Sequence, residues 1–205
     1  MNAYEKIYGP YKRDNKGKVI DGLWTRPEFE YLLDNQWEFT EKIDGTNIRV
    51  MVRGGEVSFG GRSEKAEIPG YLLEVLKRDF AYAPFYDVFG EKDVCLYGEG
   101  FGGKIQAGHL YGDVQFALFD VKIGNFFLSQ ENVIDVAHKL GIQYSPVVFR
   151  GTLRSAIAIV KNNKFRSSFG DKEAEGWVGK PDVTLYDSHG ERLVIKLKTV
   201  DLYGL

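Results

Sequence analysis

The sequence predicts an α+β fold with mainly antiparallel sheets, and three observations carry that reading. From Asn47 to Arg53 polar and apolar residues alternate, with Ile48, Val50 and Val52 on one face; Gly54-Gly55 then turns the chain into Glu56 to Phe59, a strong hairpin signal. Aromatic residues make up 14% of the chain and there are 24 glycines, a combination suited to sheets joined by tight turns. Helical patterns are interspersed with the strands, but hairpins dominate over strict βαβ alternation.

Each element follows in order. Residues 1 to 24 read as turn-rich and polar, punctuated by Gly9-Pro10 and Asp21-Gly22. Thr25 can cap a short helix that tolerates Pro27 in its first turn. Trp37 to Lys42 is strand-like. Tyr71 to Phe80, apolar at Leu72, Val75, Leu76 and Phe80, reads as an amphipathic helix. Asp93 to Phe101 and Val114 to Val121 read as strands, and Ile123-Gly124-Asn125 turns the second into Phe126 to Leu128. Ser129 to Leu140 is a helix with a serine cap and Gly141 at its end. Thr152 to Val160 is another helix, and Trp177 to Lys180 and Arg192 to Lys198 are closing strands.

The 205 residues fit one domain. With 43% hydrophobic and 27% charged residues, the chain is neither disordered, nor collagen-like, nor a small disulfide scaffold. Its longest apolar runs fall far short of the roughly 20 residues that span a membrane. The start, MNAYEKIYGPYKRD, lacks the apolar core of a signal peptide, so a cytoplasmic protein is expected, cellular or virus-encoded. Cys95 has no partner for a disulfide, and the histidines at 109, 138 and 189 are too scattered for a dedicated zinc site. The net charge of −2 means that any contact with nucleic acid must come from local basic clusters, such as Lys12, Arg13, Lys16 and Lys18.

Five short motifs stand out: Glu41 to Asn47 (EKIDGTN), Gly61-Arg62-Ser63, Tyr97-Gly98-Glu99, Phe119-Asp120, and Glu175 to Lys180 (EGWVGK) followed by Ile195 to Lys198 (IKLK). Singly, each is a common surface pattern. In this order on sheet-like segments they are specific. A lysine amine can attack the α-phosphate of a nucleoside triphosphate and expel pyrophosphate. A free lysine, with a pKa of about 10.4, is protonated at neutral pH, and neighbouring cations or a metal favour its neutral form. Lys196 and Lys198, two apart on a strand, point to the same face.

These motifs resemble those of the covalent nucleotidyltransferases: ATP-dependent DNA and RNA ligases and mRNA capping enzymes. Lys42 to Gly45 is similar to their Lys-x-Asp-Gly motif, and matches to all six family motifs run from about Trp37 to Lys198. Asn47, five residues after the lysine, resembles the RNA ligase 2 group, where DNA ligases and capping enzymes usually carry arginine. Asp44 departs from that group, which often has histidine there, but is standard in the wider superfamily.

The resemblance implies a nucleotidyltransferase (ligase adenylation) fold, with helices flanking the sheets and an ATP pocket between them. It implies Lys42 as the nucleophile that becomes lysyl-AMP, with Lys196 and Lys198 over the nucleotide phosphates. Glu99 would bind the ribose hydroxyl, and Asn47 joins the nucleotide-binding set. Glu175 would help to hold the catalytic Mg²⁺ or Mn²⁺, a hard cation that wants carboxylate and phosphate oxygens. Phe119 and Val178 would sandwich the adenine, and Glu41 would read its amino group. Phe116 competes with Phe119; alternation puts the two on opposite sides, so one faces the core. Arg62 lies where the family carries an arginine that contacts ribose or the 5′-phosphate strand. Gly102 to Gln106 resembles the loop that supports the ribose side. Cys95 reads as a buried core thiol.

The expected function is an ATP-dependent RNA ligase sealing 5′-phosphate and 3′-hydroxyl ends. The alternatives are a minimal DNA ligase, a capping-type guanylyltransferase, and a non-catalytic nucleotide- or RNA-binding module. The expected partners are RNA ends or nicked duplexes, with no membrane. RNA ligase 2 proteins continue into a helical domain, and DNA ligases and capping enzymes into an OB-fold. This sequence stops seven residues after Lys198, so one nucleotidyltransferase domain is expected, with a partner protein or the basic N-terminal segment standing in as the clamp.

Overall fold

A computed structural model describes residues 3–63, 65–81 and 83–205. In chain order its elements are β1 (Tyr11–Arg13), β2 (Val19–Trp24), α1 (Pro27–Tyr31), β3 (Gln36–Lys42), β4 (Thr46–Arg53), β5 (Glu56–Gly60), α2 (Gly70–Phe80), α3 (Phe85–Phe89), β6 (Val94–Phe101), β7 (Gln115–Ile123), β8 (Phe126–Phe127), α4 (Gln130–Leu140), β9 (Gln143–Tyr144), β10 (Val147–Thr152), α5 (Leu153–Asn162), β11 (Gly176–Pro181), β12 (Ile195–Lys198) and α6 (Thr199–Leu202). The pairing is antiparallel except for β9 on β7 and a single bridge between Tyr8 and Ile195. The α+β class with mainly antiparallel sheets is therefore the observed one.

The chain divides into two compact units. One comprises the segment ending at Tyr4 together with Asp44–Ser145; the other comprises Glu5–Ile43 and Pro146–Leu205. The first is built on a six-stranded sheet in the order β5-β4-β6-β7-β8, with β9 beside β7. One face of it carries Ile48, Val50, Val52, Leu96, Phe116, Leu118 and Val121, which pack on Leu72, Leu76 and Phe80 of α2 and on Val133, Val136 and Leu140 of α4. Helix α4 has the expected ends: the Asn132 N–H donates to Ser129 Oγ at 3.4 Å, and Gly141 takes the left-handed conformation with φ 67°.

The second unit holds a four-stranded sheet in the order β10-β3-β11-β12. Alternation divides it cleanly. Trp37, Phe39, Trp177, Ile195 and Leu197 face a core completed by Phe29 and by Leu153, Ile157 and Val160. The residues between them, Thr40, Lys42, Val178, Lys196 and Lys198, lie on the opposite face. Gly179 has no side chain because an added Cβ would stand 2.3 Å from the Phe39 ring.

Four segments depart from the sequence expectation. The N-terminal segment is more regular than expected: β1 and β2 form a hairpin, with Tyr11 opposite Trp24 and Arg13 opposite Val19. Their apolar residues are broken up by Asp21-Gly22, which hides the alternation. Strand β10 pairs with β3 although its apolar stretch is short and lies between Pro146 and Gly151. The last strand begins at Ile195, because the Leu193 N–H bonds instead to Leu185 O at 2.9 Å. Helix α1 is capped by backbone geometry at Arg26, while Thr25 Oγ1 donates to Gly9 O at 2.5 Å. No helix among the described residues is long and apolar enough to cross a membrane.

Candidate active site

The pairing register places three of the named residues in one row across the four-stranded sheet. Gly176 of β11 lies opposite both Lys42 of β3 and Lys198 of β12. Val178, two residues on, lies opposite Thr40 and Lys196. The row is close-packed: a Cβ on Gly176 would fall 2.0 Å from Leu197 O and 2.8 Å from Lys198 Cα, and its φ of 148° is one that side-chain-bearing residues rarely adopt.

Glu175, immediately before this glycine, joins the two lysines. Lys42 Nζ donates to Glu175 Oε2 at 2.5 Å, and Lys198 Nζ stands 2.7 Å from Glu175 Oε1. The Glu175 carbonyl accepts from the Thr199 N–H at 3.0 Å, which anchors the backbone that aims the carboxylate.

Lys196 completes the cluster. Its pKa is lowered by burial first, and then by the charges of Lys42 and Lys198, with Glu175 opposing. The sign for stability follows. Folding favours the neutral amine, so the native state carries a penalty at neutral pH that shrinks as pH rises from the lowered value toward the ordinary 10.5. Lys196→Met is therefore expected to raise the melting temperature at pH 7, with the gain vanishing above about pH 10.5, the ordinary lysine value. Thermal denaturation across pH checks this; a lower melting temperature at pH 7 would show that the lysine is stabilising.

Glu41 goes elsewhere. As the neighbour of Lys42 in a strand it projects to the core side, opposite Trp177. There it is 3% exposed and accepts hydrogen bonds from the Ser167 hydroxyl and, at 2.8 Å, from the Ser168 N–H. It lines a cavity of about 500 Å³ with Phe149, Phe165 and Trp177. The structure does not bring its carboxylate to the lysine row.

In the other unit the named residues lie on the sheet face opposite that unit's core. Asn47 of β4 is paired with Glu99 of β6, and Glu99 with Ala117 of β7. Asn47 Oδ1 is buried without a hydrogen-bond partner among the described residues. Gly45 passes so close to Glu99 that a Cβ there would stand 2.3 Å from Gly100 O and 2.9 Å from Glu99 Cγ. This is a physical reason for the glycine of the first motif.

The register of β7 shifts opposite Tyr97 and Gly98, leaving Phe119 as the extra residue of a bulge. Phe116 is the core member of the phenylalanine pair, 4% exposed, with its ring where a Cβ on Gly98 would be. Phe119 lies on the other face, half-buried, edge-on to Tyr4 at 5.1 Å between ring centroids. Tyr4 OH donates to the fully buried Asp120 at 2.7 Å. Tyr4 carried no signal in the sequence, because its partner lies 116 residues away.

Arg62 is exposed, in a loop held by the buried Arg49, whose Nε donates to Gly61 O at 2.8 Å. The loop after Glu99 turns at Gly102 and Gly103, and among the described residues Gln106 is the non-glycine residue with positive φ, at 52°. Cys95 is buried, and burial pushes its thiol pKa up.

The family model for RNA ligase matches residues 35–198. Comparison with curated proteins gives no match. In fold the chain is similar to the RNA ligase of Naegleria gruberi. An alanine variant of that protein with ATP and manganese superposes with a TM-score of 0.65 at 16% identity, covering 95% of this chain and 61% of that one. Another alanine variant, without ligand, gives 0.65 at 16% identity over 98% and 59%. The protein with pyrophosphate gives 0.62 at 17% identity over 95% and 61%. This chain thus spans about three fifths of the length of those chains. With most of its length matched by the family model, the chain belongs to the RNA ligase family.

Proposed function

We propose that the protein is an ATP-dependent RNA ligase that joins a 5′-phosphate to a 3′-hydroxyl through a lysyl-AMP intermediate. The observation that carries this reading is the Lys42–Glu175–Lys198 row, with Lys196 on the same sheet face. A solvated strand face has no need to hold a partly buried lysine beside two others.

The first step forms a bond from Lys42 Nζ to the α-phosphorus of ATP and breaks the bond to the β-phosphate. Pyrophosphate leaves and the amine loses a proton. Lys196 and Lys198 stabilise the charge that develops on the phosphoryl oxygens. In the second step an oxygen of the RNA 5′-phosphate attacks the AMP phosphorus and frees Lys42. In the third, the 3′-hydroxyl attacks the adenylated 5′-phosphate, AMP leaves, and a 3′–5′ phosphodiester remains.

The remaining residues suit the nucleotide. Asn47 Oδ1, buried without a partner, and the adjacent Glu99 are acceptors suited to ribose hydroxyls. Phe119 offers an aromatic face to adenine and Val178 an aliphatic one. Arg62 offers a guanidinium to phosphate. Asp120, through Tyr4, holds the strand segment that carries Phe119.

Mg²⁺ and Mn²⁺ can bind through one carboxylate and several phosphate oxygens, as a cation taken up with its nucleotide would. Glu175 would supply the carboxylate, and the bound cation would neutralise triphosphate charge.

Strand joining over matched RNA, DNA and hybrid nicks tests the reading, with RNA-containing ends expected to be joined fastest; joining of DNA nicks alone would replace it with a DNA ligase. A second check separates the two faces of β12. Lys196→Ala and Lys198→Ala are expected to lower adenylation about 100-fold or more with the fold retained. Leu197→Ala, buried in the core, is expected to cost about 2–5 kcal/mol of stability. Adenylation assays and denaturant titrations of the three variants decide; inactive but fully stable Leu197→Ala beside two active lysine variants would reverse the faces.

A further inference from the structure

The β1–β2 hairpin carries a basic cluster that the adenylation chemistry does not use. Between Lys12 and Lys18 four cations stand against one carboxylate, in a chain whose net charge is −2. Every residue from Lys12 to Lys18 is exposed. The carboxylate, Asp14, is spent on the turn: its Oδ1 accepts from the Lys16 and Lys18 N–H groups, each at 2.8 Å. Gly17, with φ 80°, closes the turn onto Asp14 O.

Among the described residues no ion pair engages Lys12, Lys16 or Lys18. Other cations of the same unit do face carboxylates: Lys161 meets Asp21, Lys164 meets Glu173, Arg150 meets Glu38, and Arg154 meets Asp34. The hairpin tip thus carries a local excess of positive charge, three lysines against the one carboxylate of Asp14.

The base of the hairpin is fixed to the strand that carries the reactive lysines. Tyr8 forms a parallel bridge with Ile195, and its carbonyl accepts from the Lys196 N–H at 2.9 Å. Arg13 bonds Asp201 at 2.6 Å, in the helix that starts directly after Lys198. Tyr11 packs on Trp24 at 4.9 Å and contributes to the core. A rigid base and a cationic tip suit a contact with a polyanion that passes the end of β12.

We propose that Lys12, Lys16 and Lys18 bind the phosphate backbone of the RNA strand being joined, without reading its bases. This rests on the RNA ligase reading, and it names the element of this chain that holds the substrate. Phosphate neutralisation releases counterions, so each lysine contributes to the salt dependence of binding.

The test measures the affinity of the 205-residue protein for a fluorescein-labelled single-stranded RNA across a salt series. The variant Lys12→Ala/Lys16→Ala/Lys18→Ala is expected to lower the slope of log affinity against log salt by about 2, at about 0.7 per lysine for a single strand. Between 50 and 200 mM salt its affinity then falls roughly 16-fold less than that of the natural protein. Arginine at the same three positions is expected to restore the slope. Removing three exposed lysines elsewhere, Lys77, Lys92 and Lys139, is expected to leave it nearly unchanged. An unchanged slope in the hairpin variant, an equal drop in both alanine variants, or no RNA binding by the natural protein would each overturn the proposal. Self-adenylation with ATP is measured in parallel and is expected to be the same with and without the hairpin lysines. Its absence from the natural protein would overturn the ligase reading, while the slopes would still decide the hairpin.

Discussion

Lys42→Ala is expected to lose joining of 5′-phosphorylated RNA entirely and to keep joining of RNA supplied already adenylated. The lysine amine takes part only in making and giving up the AMP; the final attack of the 3′-hydroxyl does not involve it. Folding is expected to survive. Lys42 is paired with Glu175 but partly exposed, and Glu175 keeps its contact with Lys198 when Lys42 is removed. The two side chains are only 23% and 17% exposed, but Lys198 still neutralises the Glu175 carboxylate, so no buried charge is left unpaired. Joining assays on the two substrates, with a thermal melt of the variant, check the expectation. Loss of both joining reactions at an unchanged melting temperature would mean that Lys42 does more than carry AMP.

The second large effect is expected at a residue with no side chain. Gly176→Ala forces a Cβ into Leu197 O and Lys198 Cα, both of them backbone with little room to yield. Overpacking alone costs about 1–3 kcal/mol, and the φ of 148° adds strain. For a chain of this size each kcal/mol lowers the melting temperature by about 2–4 °C. A fall of several degrees is therefore expected, together with loss of adenylation, because relieving the clash separates Lys198 from Lys42. A stable, fully active Gly176→Ala would show that the close approach of these strands is not required.

The local patterns show why so much of this protein could be read from its sequence. The hairpin of β4 and β5 has clean alternation and a Gly-Gly turn, and α4 carries both a serine cap and a glycine stop, so short-range chemistry specifies both. Of the lysine row, strand periodicity gave only that Lys196 and Lys198 share a face; that Lys42 and Glu175 join them followed from the family resemblance, since Lys42 and Glu175 lie more than a hundred residues apart. Glu41 shows the limit. Its adjacency to Lys42 suggested a shared task, but adjacency within a strand means opposite faces, and its partners Ser167 and Ser168 lie more than a hundred residues away. Tyr4 and Asp120 met the same limit, since no local pattern encodes a hydrogen bond across most of the chain. The edge of the four-stranded sheet was hidden because β10 is brief and bounded by proline and glycine.

The central claim is that Lys42 becomes covalently bonded to AMP. The most direct test incubates the natural protein with ATP and Mg²⁺, measures its intact mass, and maps the adduct by digestion and tandem mass spectrometry. The account predicts a single AMP, labile to acid and stable to alkali as the P–N bond of a lysine phosphoramidate is, located on the peptide containing Lys42, and no adduct when GTP replaces ATP. An AMP found on another residue, or full loading of Lys42→Ala, would contradict it.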